Sequence, residues 1–358
     1  MHRPDRPAPT GSSAQTDGRA ADDSEARLRF GVVGLGFGRC HAKVLSSLPG
    51  AELVAVADLD PEAQGIELDP WAAKLGARGY RDGLRMVAEE SLDAVVIAVP
   101  PKARRGLVTA AGERGIALFL EKPFAVDDEH AEEMTRLLDR FPGLPVTMDF
   151  CLRHLPAIRR LRELLDGPLG EGLVVNADIL LPRDDSPAWV WDPAAGNGIV
   201  NENTCHTLDT LCYLLGEPVS VQAAGGTYLG SPLEDGVGVV LRFASGATAV
   251  LTGGALGAQA MRTPATLSVY SRNGQARLTG RDHMFGELDW ATADADAPVH
   301  EGWPLPGRGE ISAGALAHFV RHLREGRQAS PGRDAGVRAV RIAMAIRTAL
   351  HGNTAVGI

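Results

Sequence analysis

In the first half of the chain, short apolar runs recur at regular intervals. Strand candidates fall at 28–33, 53–57, 78–80, 94–99, 116–120 and 145–148, and most are apolar at nearly every position. Continuous apolar runs are the mark of strands covered on both faces, as in a parallel sheet. Helical stretches separate them, and this alternation predicts parallel βαβ units. The second half reads differently. A helix over 156–165 places Ile158, Leu161, Leu164 and Leu165 on one face, and strand candidates follow at 173–180, 219–228, 236–243, 247–252 and 266–270. Turn signals such as Ser245-Gly246 and Asn273-Gly274 separate several of them, so the second sheet is expected to be antiparallel. Thr248, Val250 and Thr252 alternate with Ala249 and Leu251, which leaves one face to pair with another subunit. Amphipathic helices at 312–325 and 334–351 close the chain, and no internal repeat is present.

The chemistry concentrates at strand ends. Gly34-Leu35-Gly36-Phe37-Gly38-Arg39 follows the first strand and opens a helix. Such a turn lets backbone approach a pyrophosphate, with the positive end of the helix behind it. The third glycine comes one residue early, giving GxGxG with Arg39 where a glycine would complete the usual spacing. Asp58 ends the second strand and is placed to accept hydrogen bonds from a ribose diol. Leu59 and Asp60 follow it rather than an arginine, so a 2′-phosphate would meet negative charge. NAD is therefore favoured, with NADP possible. The fourth strand stops at Val99-Pro100, on the edge of the sheet where a cofactor would lie. The fifth runs through Leu118-Phe119-Leu120 into Glu121-Lys122-Pro123. Ligands bind beyond the carboxyl ends of such strands, which puts Lys122 at the reacting end. Pro123 stiffens the turn, and a cis Lys122–Pro123 bond is compatible with it.

A second loaded stretch runs from Gly196 to Asp209. A glycine-punctuated loop enters a helix on which Glu202, His206 and Asp209 share one face, at i, i+4 and i+7. A histidine there can be oriented by a carboxylate on either side. It can be a structural histidine, one of three metal ligands, or a general base whose pKa of roughly 6.5 suits neutral pH. No supporting ligand cluster accompanies it, so no metal is assigned.

With these pieces in place the chain resembles the glucose–fructose oxidoreductase/inositol dehydrogenase/MocA family. The residues that carry the resemblance are Val33-Gly34-Leu35-Gly36 with His41 downstream, Asp58, the run from Asp93 to Pro101, and above all Glu121-Lys122-Pro123. Arg153-His154-Leu155-Pro156, Trp191-Asp192-Pro193 and His206-Thr207-Leu208-Asp209 follow in the family's order. The resemblance implies an α/β fold: an N-terminal Rossmann domain with a parallel doubly wound sheet, then an α/β domain with an open, mostly antiparallel sheet. The divisions are a tail at 1–26, a cofactor domain at 27–149, and a substrate and oligomerisation domain at 150–358 whose last helices return to the first. Lys122, His206 and Glu202 are the implied catalytic residues. Gly34, Gly36, Phe37, Gly38, Arg39, Asp58, Val99, Pro100, Glu121 and Lys122 would hold the cofactor. Arg153, His154, Asp192 and Asn203 would face substrate, although Arg153, His154 and Asp192 fit a structural salt bridge or cap equally well, with Trp189 and Trp191 as a stacking wall or as core. The sequence departs from the family pattern at Glu202, where Asp is common, at Thr204, where Gly is common, and at Arg104, where many relatives carry His.

The implied activity is hydride transfer between a nicotinamide and a hydroxyl-bearing carbon of a sugar, cyclitol or related polyol. His206 would take the hydroxyl proton, and Lys122 as ammonium would steady the alkoxide. Burial lowers an amine's pKa while nearby acids raise it, so the charge state of Lys122 is open at this point. An NAD-retaining glycosidase or lyase with no net redox, a non-catalytic NAD sensor, and reduction of an imine or tetrapyrrole on the same scaffold stand as rivals.

Composition narrows the partners. At 358 residues, with 44% hydrophobic and 23% charged positions, the chain has the profile of a globular protein of about two domains. Its net charge of −9 argues against nucleic acid or an anionic membrane surface. The segment 1–26 lacks the apolar core of a signal peptide and reads as a disordered tail. Cys40, Cys151, Cys205 and Cys212 show no metal spacing and fit a reduced cytoplasmic setting. The expected assembly is a homodimer or homotetramer through the C-terminal sheet, and the Ala/Arg/Gly-rich composition hints at specialised metabolism.

Overall fold

The computed structural model describes residues 27–182, 188–193, 198–261, 264–281, 284–352 and 354–358. The expected tail at 1–26, and Gly196 and Asn197 of the glycine-punctuated loop, lie outside the described residues.

The first sheet is built from β1 (Leu28–Val33), α1 (Gly38–Leu45), β2 (Ala51–Ala57), α2 (Leu68–Lys74), β3 (Arg78–Tyr80), α3 (Gly83–Glu89), β4 (Ala94–Ile97), α4 (Arg105–Glu113), β5 (Ala117–Leu120), α5 (Asp128–Leu138) and β6 (Val146–Met148). Its strands lie in the order β3-β2-β1-β4-β5-β6, all parallel. Every residue of β4 and β5 is buried, because helices cover both faces of a doubly wound sheet. The strand order reverses at β1, and a ligand crevice opens where the chain leaves β1 and β4 in opposite directions. Pairing continues one residue past β4, where the Ala98 N–H reaches Val33 O, before Pro101 starts a 3₁₀ turn.

The second sheet follows α6 (Pro156–Asp166). It contains β7 (Gly172–Pro182), then, after α7 (Cys205–Leu215), β8 (Pro218–Gly226), β9 (Gly236–Phe243), β10 (Thr248–Gly257), β11 (Pro264–Ser271), β12 (Gly274–Arg281), β13 (Met284–Thr292) and β14 (Val299–Gly302). Helices α8 (Ala313–Arg324) and α9 (Arg333–Gly352) precede a last short strand, β15 (Val356–Gly357). The order is β14-β13-β12-β11-β7-β10-β9-β8-β15, antiparallel except where β10 meets β7. Strands β12 to β14 were not legible in the residue pattern. One reason is Gly280, which interrupts β12 in sequence yet is demanded by the fold: a Cβ there would lie 1.8 Å from Met284 O.

One face of this sheet packs on α6 and α7. Ala249 and Leu251 point inward at 0% exposure while Val250 points outward at 41%, as the alternation predicted. Helices α8 and α9 cross back to the first sheet. Phe319 stacks edge-on against Phe30 and tilted against Phe119, at 6.2 and 5.6 Å between ring centroids. Ala339 and Val340 join the core around Phe124 and Met148. Among the described residues, no helix is long and apolar enough to cross a membrane.

Candidate active site

The glycine turn fits a dinucleotide. Gly34 has φ +90, and a Cβ there would stand 2.8 Å from the Ala98 carbonyl, so the turn lies flat against the end of β4 beside Val99. A Cβ on Gly36 would meet only Gln64 Oε1, at 3.6 Å, and no side chain caps the start of α1. Gly38 explains the early third glycine. A Cβ there would come within 3.1 Å of Val32 and Ala98 side chains, so Gly38 supplies the close helix–strand packing and frees Arg39 to be exposed, with Nη1 on Gln64 O. Asp58 Oδ2 accepts the Leu35 N–H at 2.5 Å and Oδ1 the Asp60 N–H at 2.8 Å. A carboxylate offers about four acceptor sites, so capacity remains for a ribose diol. Pro100 is exposed at the lip of the crevice and Val99 half-buried behind it.

The Glu121-Lys122-Pro123 turn closes β5, and its Lys122–Pro123 bond is cis. Lys122 Nζ donates to Glu202 Oε1 at 2.5 Å and to the Glu202 carbonyl at 2.9 Å. Burial works to lower the amine's pKa, but Glu202, Cys205 and Glu121 outweigh it and the net shift is upward. The ion pair with Glu202 thus favours the ammonium form of the lysine. Two of its three N–H bonds are engaged by Glu202, and one remains for a ligand oxygen.

Glu202 reaches Lys122 because the chain is wound as a π-turn over Val200–Thr204 before α7 begins. The wider turn alters the single helical face that the spacing suggested. Glu202 faces the Glu-Lys-Pro turn, while Asp209 faces Arg153 across the core. Asn201 ties this turn to the first sheet's loop, its Nδ2 on Ala125 O at 2.8 Å. His206 is half-buried, with the Phe150 ring edge-on at 6.3 Å.

Among the expected substrate residues, Arg153 is committed elsewhere. Its Nε and Nη2 donate to the two oxygens of Asp209 at 2.6 and 2.5 Å, and its guanidinium lies 5.2 Å from the Tyr213 ring. His154 is drawn toward α8. Its ring lies 4.8 Å from that of His318, which lies 3.9 Å from that of His322. Burial and then the neighbouring His318 push His154 down to about 3, so it is neutral. Asn203 is half-buried within the π-turn, and Asp192 is exposed. Trp191 packs against the second core.

Arg104, to which no role attaches in the sequence, is the largest fully buried side chain among the described residues. Its Nε donates to Val99 O at 2.9 Å and its Nη1 to Pro123 O at 2.6 Å. It thus clamps the ends of β4 and β5 together, and burial lowers its pKa to about 10. His41, Asp149 and Ser312 are the other residues whose place the residue pattern did not reveal. They gather around Glu121 from three separate elements.

Comparison with known proteins agrees with this layout. A model of the oxidoreductase family's NAD-binding Rossmann fold matches residues 28–148, and a GFO/IDH/MocA C-terminal domain model matches 158–277. Inositol 2-dehydrogenase from Rhizobium meliloti is 27% identical over 328 residues, covering 88% of this chain and 94% of that protein. D-apiose dehydrogenase from Paraburkholderia graminis is 30% identical over 318 residues, covering 84% and 81%. Among solved structures, levoglucosan dehydrogenase in complex with NADH and levoglucosan superposes with a TM-score of 0.82 at 22% identity, over 93% of this chain and all of that one. That last likeness speaks for the fold. Taken with the crevice and the Glu-Lys-Pro turn, these matches show that the chain belongs to the glucose–fructose oxidoreductase/inositol dehydrogenase/MocA family and is an NAD-dependent oxidoreductase of the dehydrogenase type.

Proposed function

We propose that the protein oxidises or reduces a CH–OH group of a sugar or cyclitol, with residues 27–149 holding NAD and 150–358 presenting the substrate. The observation that carries this reading is the Lys122 ammonium held by the carbonyl and carboxylate of Glu202, four residues before His206. The relatives that match over most of their length are named for inositol and apiose, which supports a polyol. When bound, NAD supplies the hydride acceptor. The loop of Gly34, Gly36 and Gly38 with Asp58 would hold it. Lys122 keeps its proton and offers its remaining N–H to the reacting oxygen, stabilising negative charge as it develops. His206 takes the hydroxyl proton. Glu202 aims the ammonium. Asn203 and Asp192 are the proposed substrate contacts, while Arg153 and His154 hold the frame.

The test is a panel of sugars, inositols and aminocyclitols with NAD and NADP, followed at the absorbance of reduced nicotinamide. On the substrate it identifies, Lys122→Ala and His206→Ala should each lower turnover on the order of 10²–10⁴ with NADH affinity nearly unchanged. Wild-type turnover in both variants would sink the assignment.

The outer face of the second sheet also supports an assembly of like chains. Val174, Val250 and Tyr270 stand 41–48% exposed on β7, β10 and β11; Tyr270 pairs with Val174, and Val250 lies two residues along on the same face, opposite Asn176. We place a homo-oligomer contact there. Val250→Glu should lower the mass seen by light scattering, and an unchanged mass would refute the contact.

A further inference from the structure

Behind Lys122 lies more titratable chemistry than one ion pair explains. His41 on α1, Glu121 after β5, Asp149 after β6 and Ser312 before α8 are all buried, at 0–5% exposure. His41 Nε2 lies 2.6 Å from Glu121 Oε1 and 3.6 Å from Asp149 Oδ2. Ser312 Oγ donates to Asp149 Oδ2 at 2.6 Å. The Asp149 N–H is held by Leu120 O at 2.8 Å, which fixes its backbone beside the end of β5. Glu121 Oε2 accepts the backbone N–H of Lys122 at 3.1 Å. Polar atoms of His41, Glu121 and Asp149, one from each, lie within 4.8 Å of one another, and Asp149 Oδ1 is buried with no hydrogen-bond partner among the described residues.

Two buried carboxyl groups gathered this closely around one imidazole favour a proton kept between them, because neither donates once ionised. Charge counting gives the same answer. Protonated His41 matches one carboxylate, and Lys122 is matched by Glu202. The Arg104 guanidinium is anchored on the carbonyls of Val99 and Pro123, and Cys151 offers no charge, since burial holds its thiol up. A second buried anion would have only a share of His41, whose Nε2 already lies closer to Glu121, and an unmatched buried anion costs several kcal/mol.

We propose that Asp149 is a neutral acid that shares its proton with Glu121, and that this shared proton positions Lys122. The Asp149 O–H donates to Glu121, the other side of Glu121 is held by His41, and the carboxylate so fixed grips the Lys122 backbone at the start of the turn. Ser312 steadies the arrangement from the second half of the chain. Phe37 of the cofactor loop packs its ring edge-on against His41 at 5.4 Å, so the cluster also touches the glycine turn. The electrostatics agree. Burial, then the charge on Glu121, raises Asp149 to about 7, while Glu121, despite burial, is drawn down to about 2 chiefly by His41. His41 is shifted upward by the same contact, against burial. Above neutral pH the shared proton is lost, the two carboxylates repel, and the turn loses its support. An alkaline decline in turnover then belongs to Asp149, since Lys122 stays charged. This last consequence rests on the proposed role of Lys122, while the shared proton does not.

The test compares Asp149→Asn, which mimics the neutral acid, with Asp149→Ala in the full-length protein. Infrared spectra of the wild type at pH 6 should show the carbonyl band of a buried carboxylic acid, absent from both variants. A carboxyl whose folded pKa is raised contributes stability that is full below the unfolded value of about 4 and is lost toward pH 7. Urea midpoints of the wild type should carry that decline, and those of Asp149→Asn should lack it. On a substrate found above, Asp149→Ala should lose turnover by roughly tenfold to a hundredfold. Asp149→Asn should recover most of it, with the alkaline decline moved upward. The absence of the acid band, a stoichiometric metal ion in the wild type that Asp149→Ala lacks, or an asparagine variant as impaired as the alanine one would overturn the proposal. If the band and the stability slope hold but no polyol is turned over, the proton reading stands and the reaction assignment falls.

Discussion

Two ion pairs fasten the helix that follows residue 200 to the rest of the molecule, and they are built to different ends. Lys122–Glu202 leaves both side chains 12–15% exposed and uses a single carboxylate oxygen. Arg153–Asp209 is two-pronged, with the aspartate side chain at 1% exposure. Both carboxylate oxygens of Asp209 are consumed, and the guanidinium is covered by Tyr213. Burial pushes the Asp209 carboxyl upward against the pull of Arg153. The first pair stands partly open at the crevice with one ammonium N–H unspent, while the second spends both oxygens of a fully buried carboxylate. Charged residues of equal prominence in sequence can thus differ in purpose, and the burial of the carboxylate each one meets tells them apart.

Asp209→Ala should break the comparison most forcefully. Arg153 would be left buried without its anion, at a cost of about 3–5 kcal/mol, read as a lower urea midpoint. Turnover per folded molecule should change little. A loss of turnover with stability intact would make the Arg153 pair functional after all. Glu202→Gln should do the reverse on a smaller scale. It keeps an oxygen for the ammonium but removes the charge that holds the amine's pKa up. Stability should fall by about 1–2 kcal/mol and turnover more clearly. Turnover at the wild-type level would show that the Glu202 carboxylate does not hold the Lys122 ammonium for the reaction.

The smallest expected effect concerns acid. Glu121, lowered to about 2, contributes stability present above the unfolded value near 4 and lost as pH falls toward 2. Asp149 runs the other way, losing its contribution as pH rises from about 4 to 7. Their sum predicts a shallow stability maximum near pH 4 from this cluster, and Asp149→Asn should remove only the upper slope.

The sequence by itself determined the first sheet, because strands buried on both faces must be apolar throughout and the glycine turn and Asp58 sit at fixed offsets from them. It also determined that Lys122 stands at a strand's carboxyl end, and that β10 alternates between core and open face. The last strands escaped because they are half-polar and carry glycines whose reason is a neighbouring backbone that the sequence does not show. Only the tertiary structure decided which charges meet. Residue 202 finds residue 122 through a π-turn that shifts the helical phase. Arg104 closes the ends of two strands from the start of α4. His41, Glu121, Asp149 and Ser312, dispersed over more than 270 positions, share one buried volume where pKa values are set by contacts and desolvation rather than by neighbours in the chain.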